Sequence, residues 1–307
     1  MSITMKNQEL TVTLHSPEDE AFSARFDQIF AAKQVVLHGK YEFCEPEQRS
    51  PDRRSGGGIG LSGEFVWDEL GAEAKKGQQF IKPGVGLLTQ VEDDKPYDMW
   101  APYQVERFVT TVAVQEPERV VLVQDIPATN GIGMKIIREA VLWQNTLTLH
   151  THIENTGTRP ISMAEYQHNF VSINHAPIDK GYCLQLPCNL TLNDMPNRCF
   201  VQGAEGPAPG VLRTEGDRLY WDDSMERKVL FQAVDDEKNV ADMARYSWTL
   251  SHANSPAQVQ EIAYFRPSML RLWGIDHCVS TEFFCPIKLE AGGKMAFART
   301  WVFAEKA

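Results

Sequence analysis

The sequence predicts an all-β protein whose strands pair mainly antiparallel. Short β-branched or aromatic runs recur along the chain with turn residues between them, whereas helical periodicity is scarce. Some connections are short enough to be hairpins, which join neighbouring antiparallel strands. This rhythm is typical of a sandwich or a barrel.

The predicted strands follow from this pattern in chain order. They cover residues 33–38, 103–114, 120–126, 134–143, 146–155, 245–251 and 297–303. Hairpin turns are predicted at residues 143–146 and 290–294, where turn-forming residues separate two such runs. Residues 64–76 contain the one helix-like pattern, but Gly71 interrupts it, so a loop with single turns is predicted there.

Two stretches read as irregular. Residues 44–63 are rich in charge, proline and glycine, and residues 203–218 hold several glycines and two prolines among acidic groups. In a compact β-protein such long loops are more often the rim or lid of a site than a domain boundary. A single domain over residues 1–307 is therefore predicted.

Composition and charge narrow the classes of function. Hydrophobic residues make up 43% of the chain and charged residues 23%, which are ordinary globular values. The net charge of -11 argues against a nucleic-acid partner, and no apolar run approaches the roughly 20 residues of a membrane span. The N-terminal residues lack a signal-peptide pattern, so a cytoplasmic protein without a membrane partner is expected. The six cysteines form no CxxC pair and predict reduced, partly buried thiols.

Two motifs suggest chemistry that their surroundings do not support. Residues 58–63 satisfy the GxGxxG dinucleotide pattern, but the flanking strand and helix are missing, so no cofactor is predicted. His150 and His152 would share one strand face with Glu154, and two histidines and a carboxylate could ligate a metal as in cupins. Alternation of polar and apolar residues also explains this pattern and is the favoured interpretation, with a metal-dependent cupin-like enzyme left as an alternative.

The stretch with the most information about function is residues 155–170. Asn155-Thr-Gly157 predicts a turn, and the strand after it would place Tyr166, His168 and Phe170 on one face. Aromatic faces can stack on the C–H-rich surfaces of sugars, and an imidazole can exchange a proton near neutral pH. The pattern suggests a sugar-binding face, although histidines of this kind are more often structural.

The turn followed by EYQHNF resembles the aldose 1-epimerase superfamily, in which a similar turn leads into the strand with the catalytic histidine. Residues 23–43, 60–88 and 272–303 resemble further segments of an uncharacterised branch of that superfamily. The resemblance implies a large antiparallel β-supersandwich of the galactose mutarotase-like kind and an isomerase that interconverts sugar anomers. In such mutarotases a glutamate takes the proton of the anomeric hydroxyl and a histidine protonates the ring oxygen.

Residue by residue, the resemblance assigns the catalytic histidine to His168 and the catalytic glutamate to Glu282. Asp217 resembles the aspartate that holds sugar hydroxyls in the sugar-phosphate branch. Glu282 would share the less buried face of its strand with Phe284. A sugar ring should fit between the acid and the base, so a separation of several ångströms is expected, and direct contact would count against the pairing.

The early glycine-rich loop departs from the family pattern. Better-studied members have a His-Gly pair there, whereas this chain has arginines at 53 and 54. Arg54 could bind the carboxylate or phosphate of an acidic or phosphorylated sugar, because a guanidinium matches such groups. Arg25, Lys82 and Tyr166 are the other candidate substrate-binding residues. The departure keeps open a non-catalytic carbohydrate-binding or sensor protein, and a homodimer is also left open.

Overall fold

The computed structural model describes residues 3–20, 23–49, 56–187, 198–201, 204–206, 212–221, 229–235 and 246–306. Within these ranges the regular structure consists of β-strands. No helix in the described ranges is long and apolar enough to cross a membrane.

The strands run along the whole of the described chain. In order they are β1 (Ile3–Lys6), β2 (Leu10–Leu14), β3 (Ala31–Leu37), β4 (Tyr41–Glu42), β5 (Leu61–Val66), β6 (Gln79–Lys82), β7 (Gly86–Thr89), β8 (Gln104–Arg107), β9 (Thr110–Gln115), β10 (Arg119–Thr129), β11 (Ile132–Trp143), β12 (Thr146–Asn155), β13 (Ile161–Asn169), β14 (Tyr182–Gln185), β15 (Arg198–Val201), β16 (Ala204–Gly206), β17 (Leu212–Glu215), β18 (Arg218–Trp221), β19 (Val229–Asp235), β20 (Ser247–His252), β21 (Ala257–Ala263), β22 (Met269–Ile275), β23 (Cys278–Leu289) and β24 (Lys294–Glu305).

The strands form two large sheets and one small sheet. The first large sheet has eleven strands in the order β1-β2-β3-β5-β13-β23-β22-β19-β15-β16, with β4 paired to β3. The second has ten strands in the order β17-β18-β14-β20-β21-β24-β12-β11-β10-β9, and β6-β7-β8 form the small sheet. The pairings are antiparallel, so the predicted fold class is confirmed.

One hydrophobic cluster draws side chains from both large sheets, and β12 shows how the sequence builds it. Leu147, Leu149 and Ile153 are at most 1% exposed, while His152 between them is exposed. Successive side chains of a strand point to opposite faces, so every second residue of β12 enters the core. The predicted polar face of this strand is thereby confirmed.

A buried ionic network also joins the two large sheets. Arg299 of β24 donates from Nη2 to Glu165 Oε2 of β13 at 2.5 Å and from Nη1 to Glu261 Oε1 of β21 at 2.7 Å. Arg138 of β11 reaches Glu165 Oε1 at 3.3 Å and Asp27 Oδ2 at 2.8 Å. These side chains are at most 1% exposed, so each buried charge depends on its partner.

Most of the predicted strands are present, with one division. Residues 103–114 contain two strands, β8 and β9, because residues 108 and 109 leave the ladder. The predicted hairpin at 143–146 is confirmed, since Trp143 pairs with Thr146 and Gln144 takes a positive φ of 50°.

The second predicted hairpin, at residues 290–294, is wrong. The strands that it joins lie in different sheets: β23 pairs with β13 and β22, whereas β24 pairs with β12 and β21. The turn itself is tight, with Gly293 N–H donating to Glu290 O at 2.8 Å. Asn155 at the end of β12 bonds to Gly292 and Gly293, and the chain thereby crosses to the second sheet. A turn signal does not determine which strands pair.

Three stretches predicted as irregular contain strand residues. Strand β5 includes residues 61–63, which end the predicted loop 44–63. It also includes residues 64–66, which begin the stretch 64–76 that was predicted as a loop with single turns. Residues 204–206 and 212–215 form β16 and β17. These assignments are corrected because pairing with a neighbouring strand overrides a weak local preference. The remainder of the two long loops lies partly outside the described residues.

The cysteines of the described part are free thiols. Cys44, Cys278 and Cys285 are buried and Cys183 is half-buried. Burial raises the pKa of Cys44 and of Cys285 to about 12, which keeps these thiols protonated and unreactive. The prediction of reduced thiols is confirmed for these four, and the side chains of the other two cysteines lie outside the described part.

Candidate active site

The candidate site lies on the face of the first large sheet that points away from the second sheet. Glu165 of β13 contacts the second sheet through Arg299, so Tyr166 and His168, which do not share its face, point the other way. Neighbouring strands add side chains to the same face. Glu64 of β5 lies opposite Tyr166 in the register, and Glu282 of β23 meets His168.

The predicted acid and base are in direct contact. His168 Nε2 lies 3.3 Å from Glu282 Oε1, and each side chain is 2% exposed. The expected separation of several ångströms is therefore wrong, as is the expected position of Glu282 on a less buried face. The reason is the topology: β13 and β23 are adjacent in the sheet, so side chains on one face of the two strands touch.

Burial decides the protonation of this pair. Desolvation, reinforced by the charges of Arg25 and Arg271, lowers the pKa of His168 well below its ordinary value. Desolvation also raises the pKa of Glu282 to about 8, although the same two arginines oppose the rise. At neutral pH the Glu282 carboxyl group is consequently protonated and the His168 imidazole is neutral, so the one titratable proton of the pair lies on the carboxyl group. A neutral pair avoids the cost of isolated buried charges.

Aromatic rings surround the imidazole. Phe170 stacks on His168 with ring centroids 4.0 Å apart and an interplanar angle of 10°. Trp273 and Phe26 approach it edge-on, with centroids at 4.7 Å and 5.7 Å. These rings exclude water from the histidine, which is the physical cause of its lowered pKa.

Three of the predicted binding residues meet at Glu64. Arg25 donates from Nε to Glu64 Oε2 at 2.7 Å and from Nη2 to the Tyr166 hydroxyl at 2.7 Å. Tyr166 donates to Glu64 Oε2 at 2.5 Å. Lys82 is 1% exposed and donates from Nζ to Glu64 Oε1 at 3.1 Å. The structure thus brings Arg25, Lys82 and Tyr166 together, with Glu64 as their common partner.

Several cations gather at the site. Burial favours the neutral form of Glu64, but Arg25 and Lys82 outweigh it and lower its pKa to about 2. Arg271 of β22 is a further cation, placed opposite Glu282 in the register. The Nε atom of Arg271 is buried and has no hydrogen-bond partner among the described residues. Glu47 also acts on Arg25 and Asp27 on Lys82, so the Arg271 Nε, which has no partner in the described part, is the donor here that favours an anionic ligand.

Several residues of the site were not predicted from the sequence. Glu64 lies in the segment that resembles the family, and its position on β5 opposite Tyr166 identifies it once the register is known. Arg271 and Trp273 belong to β22, part of which lies in the segment that resembles the family's final strands, but neither was named as a site residue. Both residues reach the site because β22 pairs with β23, and no local sequence pattern predicts that pairing.

Two predicted residues are not brought into this cluster. Asp217 lies in the turn between β17 and β18 of the second sheet, where its Oδ2 accepts a hydrogen bond from Gln185 Nε2 at 3.0 Å. No contact in the described part joins it to His168 or Glu282, so its role stays a prediction. Arg54 lies outside the described residues.

The glycines of the GxGxxG pattern are explained by close packing. The pattern leads directly into strand β5, whereas a dinucleotide site needs a helix there. Gly60 takes a φ of +50°, and a Cβ at this position would lie 1.9 Å from Ala32 O. A Cβ on Gly58 would lie 2.1 Å from the ring of Phe170, which stacks on the site histidine. These glycines therefore let the loop pack against the site.

The alternative metal site falls on the outer face of β12. His150 is half-buried and His152 is exposed there, on the second sheet. In the described ranges no group of three or more histidine, cysteine, aspartate or glutamate side chains is arranged to hold a metal ion. The polar-face interpretation of these histidines accounts for their positions.

Comparison with known proteins identifies the fold. The sequence matches no protein-family model and no curated protein. Solved structures do match over nearly the full length of the chain. A galactose mutarotase-related enzyme from Lactobacillus acidophilus has a TM-score of 0.57 at 10% identity, with 100% of this chain and 98% of that chain covered.

Two further structures agree with this match. A galactose mutarotase-like protein from Lactobacillus casei has a TM-score of 0.57 at 14% identity, covering 99% of this chain and 100% of that one. An aldose epimerase homologue from C. elegans has a TM-score of 0.55 at 13% identity, covering 100% and 99%. The protein therefore has the fold of the galactose mutarotase-like and aldose 1-epimerase proteins.

Proposed function

We propose that this protein interconverts the anomers of a sugar by acid–base catalysis at His168 and Glu282. The observation that carries the proposal is that His168 and Glu282, the two residues that the resemblance assigns, meet on one face of adjacent strands β13 and β23 although they lie far apart in the sequence. Proteins named as mutarotase-like share the fold, which supports the same chemistry here. Titratable groups whose pKa values are strongly shifted by desolvation, as those of His168 and Glu282 are, are typical of functional sites.

The contact counts against a sugar ring lying between the two groups, so the proposal requires both to act from one side of C1, to which the anomeric hydroxyl and the ring oxygen are both bonded. Glu282 takes the proton of the anomeric hydroxyl while His168 gives a proton to the ring oxygen. The C1–ring oxygen bond breaks, an open-chain aldehyde forms, and rotation about C1–C2 followed by the reverse steps closes the other anomer. The pair needs one proton in total, and moving it from Glu282 to His168 across the contact creates the reactive form.

The charge of the site supports an acidic or phosphorylated sugar as the substrate. Arg25 and Lys82 are already engaged by Glu64, so they support the site more than they offer free donors. Arg271, whose Nε has no hydrogen-bond partner among the described residues, is the better candidate for a ligand carboxylate or phosphate. A guanidinium matches the planar oxygens of such groups.

Anomer exchange measured by NMR tests the proposal. The substrates would be single anomers of neutral hexoses, hexose phosphates and uronic acids. Each would be tested with and without a metal chelator, and we expect anomer exchange to persist when the chelator is present. His168→Asn and Glu282→Gln should each lower exchange by at least about a hundredfold while sugar affinity changes far less. His152→Asn, an exposed histidine of the second sheet, is the matched control and should leave exchange unchanged. Unchanged exchange in both site variants would refute the assignment.

A non-catalytic carbohydrate-binding or sensor protein is the second candidate. It is favoured by the arginines at 53 and 54, which stand where better-studied members of the superfamily have a His-Gly pair. Calorimetry distinguishes the two functions, since a sensor would bind a sugar without accelerating its anomer exchange. A small-molecule sugar partner, a cytoplasmic location and a homodimer remain predictions under either function.

A further inference from the structure

A serine hydroxyl connects Glu282 to the neighbouring strand. Ser280 precedes Glu282 by two residues on β23, is 1% exposed, and donates from Oγ to Glu282 Oε1 at 3.1 Å. The same Oγ accepts a hydrogen bond from the backbone N–H of Asn169 at 2.9 Å. A hydroxyl has a single proton, so accepting from Asn169 leaves that proton free for Glu282. The oxygen that receives it is the one that faces His168.

Asn169 is itself held by both sheets. Its Nδ2 donates to Glu261 Oε2 at 2.8 Å and to Thr281 O at 2.8 Å, and its Oδ1 accepts from Trp301 Nε1 at 2.9 Å. Glu261 and Trp301 belong to β21 and β24 of the second sheet. Asn169 is fully buried, and every one of these bonds fixes its amide in one orientation. Its backbone N–H is consequently aimed at Ser280 by the packing of the whole sandwich.

We propose that Ser280 is a positioning residue that fixes the orientation of the Glu282 carboxyl group against His168, with Asn169 setting the direction of the serine hydroxyl. For turnover this inference rests on the proposed function. The inference about the orientation of the carboxyl group does not rest on the proposed function, because the hydrogen bond exists whether or not a sugar is converted.

The other groups that act on Glu282 come from four elements. They are His168 of β13, Arg271 of β22, Glu64 of β5 and Arg25 of the segment before β3. Their charges remain when the hydroxyl is removed, so a change in Ser280 isolates the hydrogen bond. A hydrogen bond to the ionised form lowers the pKa of a carboxyl group, and its loss must raise that pKa.

Carboxyl titration of the full-length protein tests the proposal directly. The Glu282 signal in carbon-13 NMR is assigned by its absence in Glu282→Gln. Ser280→Ala should move its midpoint upward by about one pH unit, since two or three such bonds lower a carboxylate by about two units. Ser172→Ala is the control, because Ser172 is equally buried and donates to Glu45 Oε1 at 2.6 Å, and it should leave the Glu282 midpoint unchanged.

Kinetics supplies a second measure. Ser280→Ala should lower kcat for anomer exchange by roughly 10- to 100-fold through misplacement of the carboxyl group, with KM within about twofold. If Ser280→Ala does not fold, Ser280→Cys keeps the size with a weaker donor and should show a smaller upward shift. An unshifted Glu282 midpoint in the folded variant overturns the inference. A shifted midpoint in a protein without any anomer exchange would sustain it while refuting the proposed function.

Discussion

Removal of the Glu282 carboxyl group should change the stability of the protein in a way that depends on pH. In the folded protein burial raises the pKa of Glu282 to about 8, from the ordinary value of 4.5 that applies to the unfolded chain. Between these two values the folded state retains a proton that the unfolded state has released. Unfolding therefore releases a proton, and the free energy of unfolding of the wild type falls as the pH rises through this interval.

The magnitude follows from the size of the shift. One pKa unit corresponds to about 1.4 kcal/mol, so the rise from 4.5 to about 8 costs the folded state about 5 kcal/mol above pH 8. Below pH 4.5 the shifted pKa does not lower the stability of the folded state, because the carboxyl group is protonated in both the folded and the unfolded protein. Glu282→Gln has nearly the same shape and no titration. Relative to the wild type, the variant should gain stability progressively from pH 5 to pH 8.

Urea unfolding at pH 5, 6, 7, 8 and 9 measures this difference. The other buried titratable groups are common to both proteins and cancel to first order. Glu154→Gln is the control, since Glu154 lies on the outer face of β12, and its effect should stay within about 0.5 kcal/mol at every pH. A stability difference for Glu282→Gln that is constant from pH 5 to pH 8 would refute the raised pKa of Glu282 in the folded protein.

Two further changes test the surroundings of the site. Arg299→Met should lower the free energy of unfolding by about 3–5 kcal/mol, because Glu165 and Glu261 then lose a buried cation. Denaturant titration measures this change, and a loss of stability near zero would contradict the prediction. Gly58→Ala should reduce the rate of anomer exchange while the circular dichroism spectrum stays native, because the added Cβ lies 2.1 Å from the ring of Phe170. Wild-type exchange in that variant would show that the loop can move aside.

The alternation of residues along single strands was sufficient to predict much of the fold and the faces of its strands. The polar face of β12 and the common face of Tyr166 and His168 follow from a period of two and hold in the structure. The resemblance added Glu282, which the structure places beside His168. Local pattern failed at residues 290–294, where a tight turn joins strands of different sheets.

The sequence by itself determined which side chains share a face of a strand, because that depends only on the geometry of one extended chain. Tertiary structure alone decided which faces meet. The contact of His168 with Glu282 requires β13 to lie next to β23, and the meeting of Arg25 and Lys82 at Glu64 joins segments far apart in the chain. The protonation of the pair was likewise undecided until burial was known, since desolvation and not residue type shifts both pKa values.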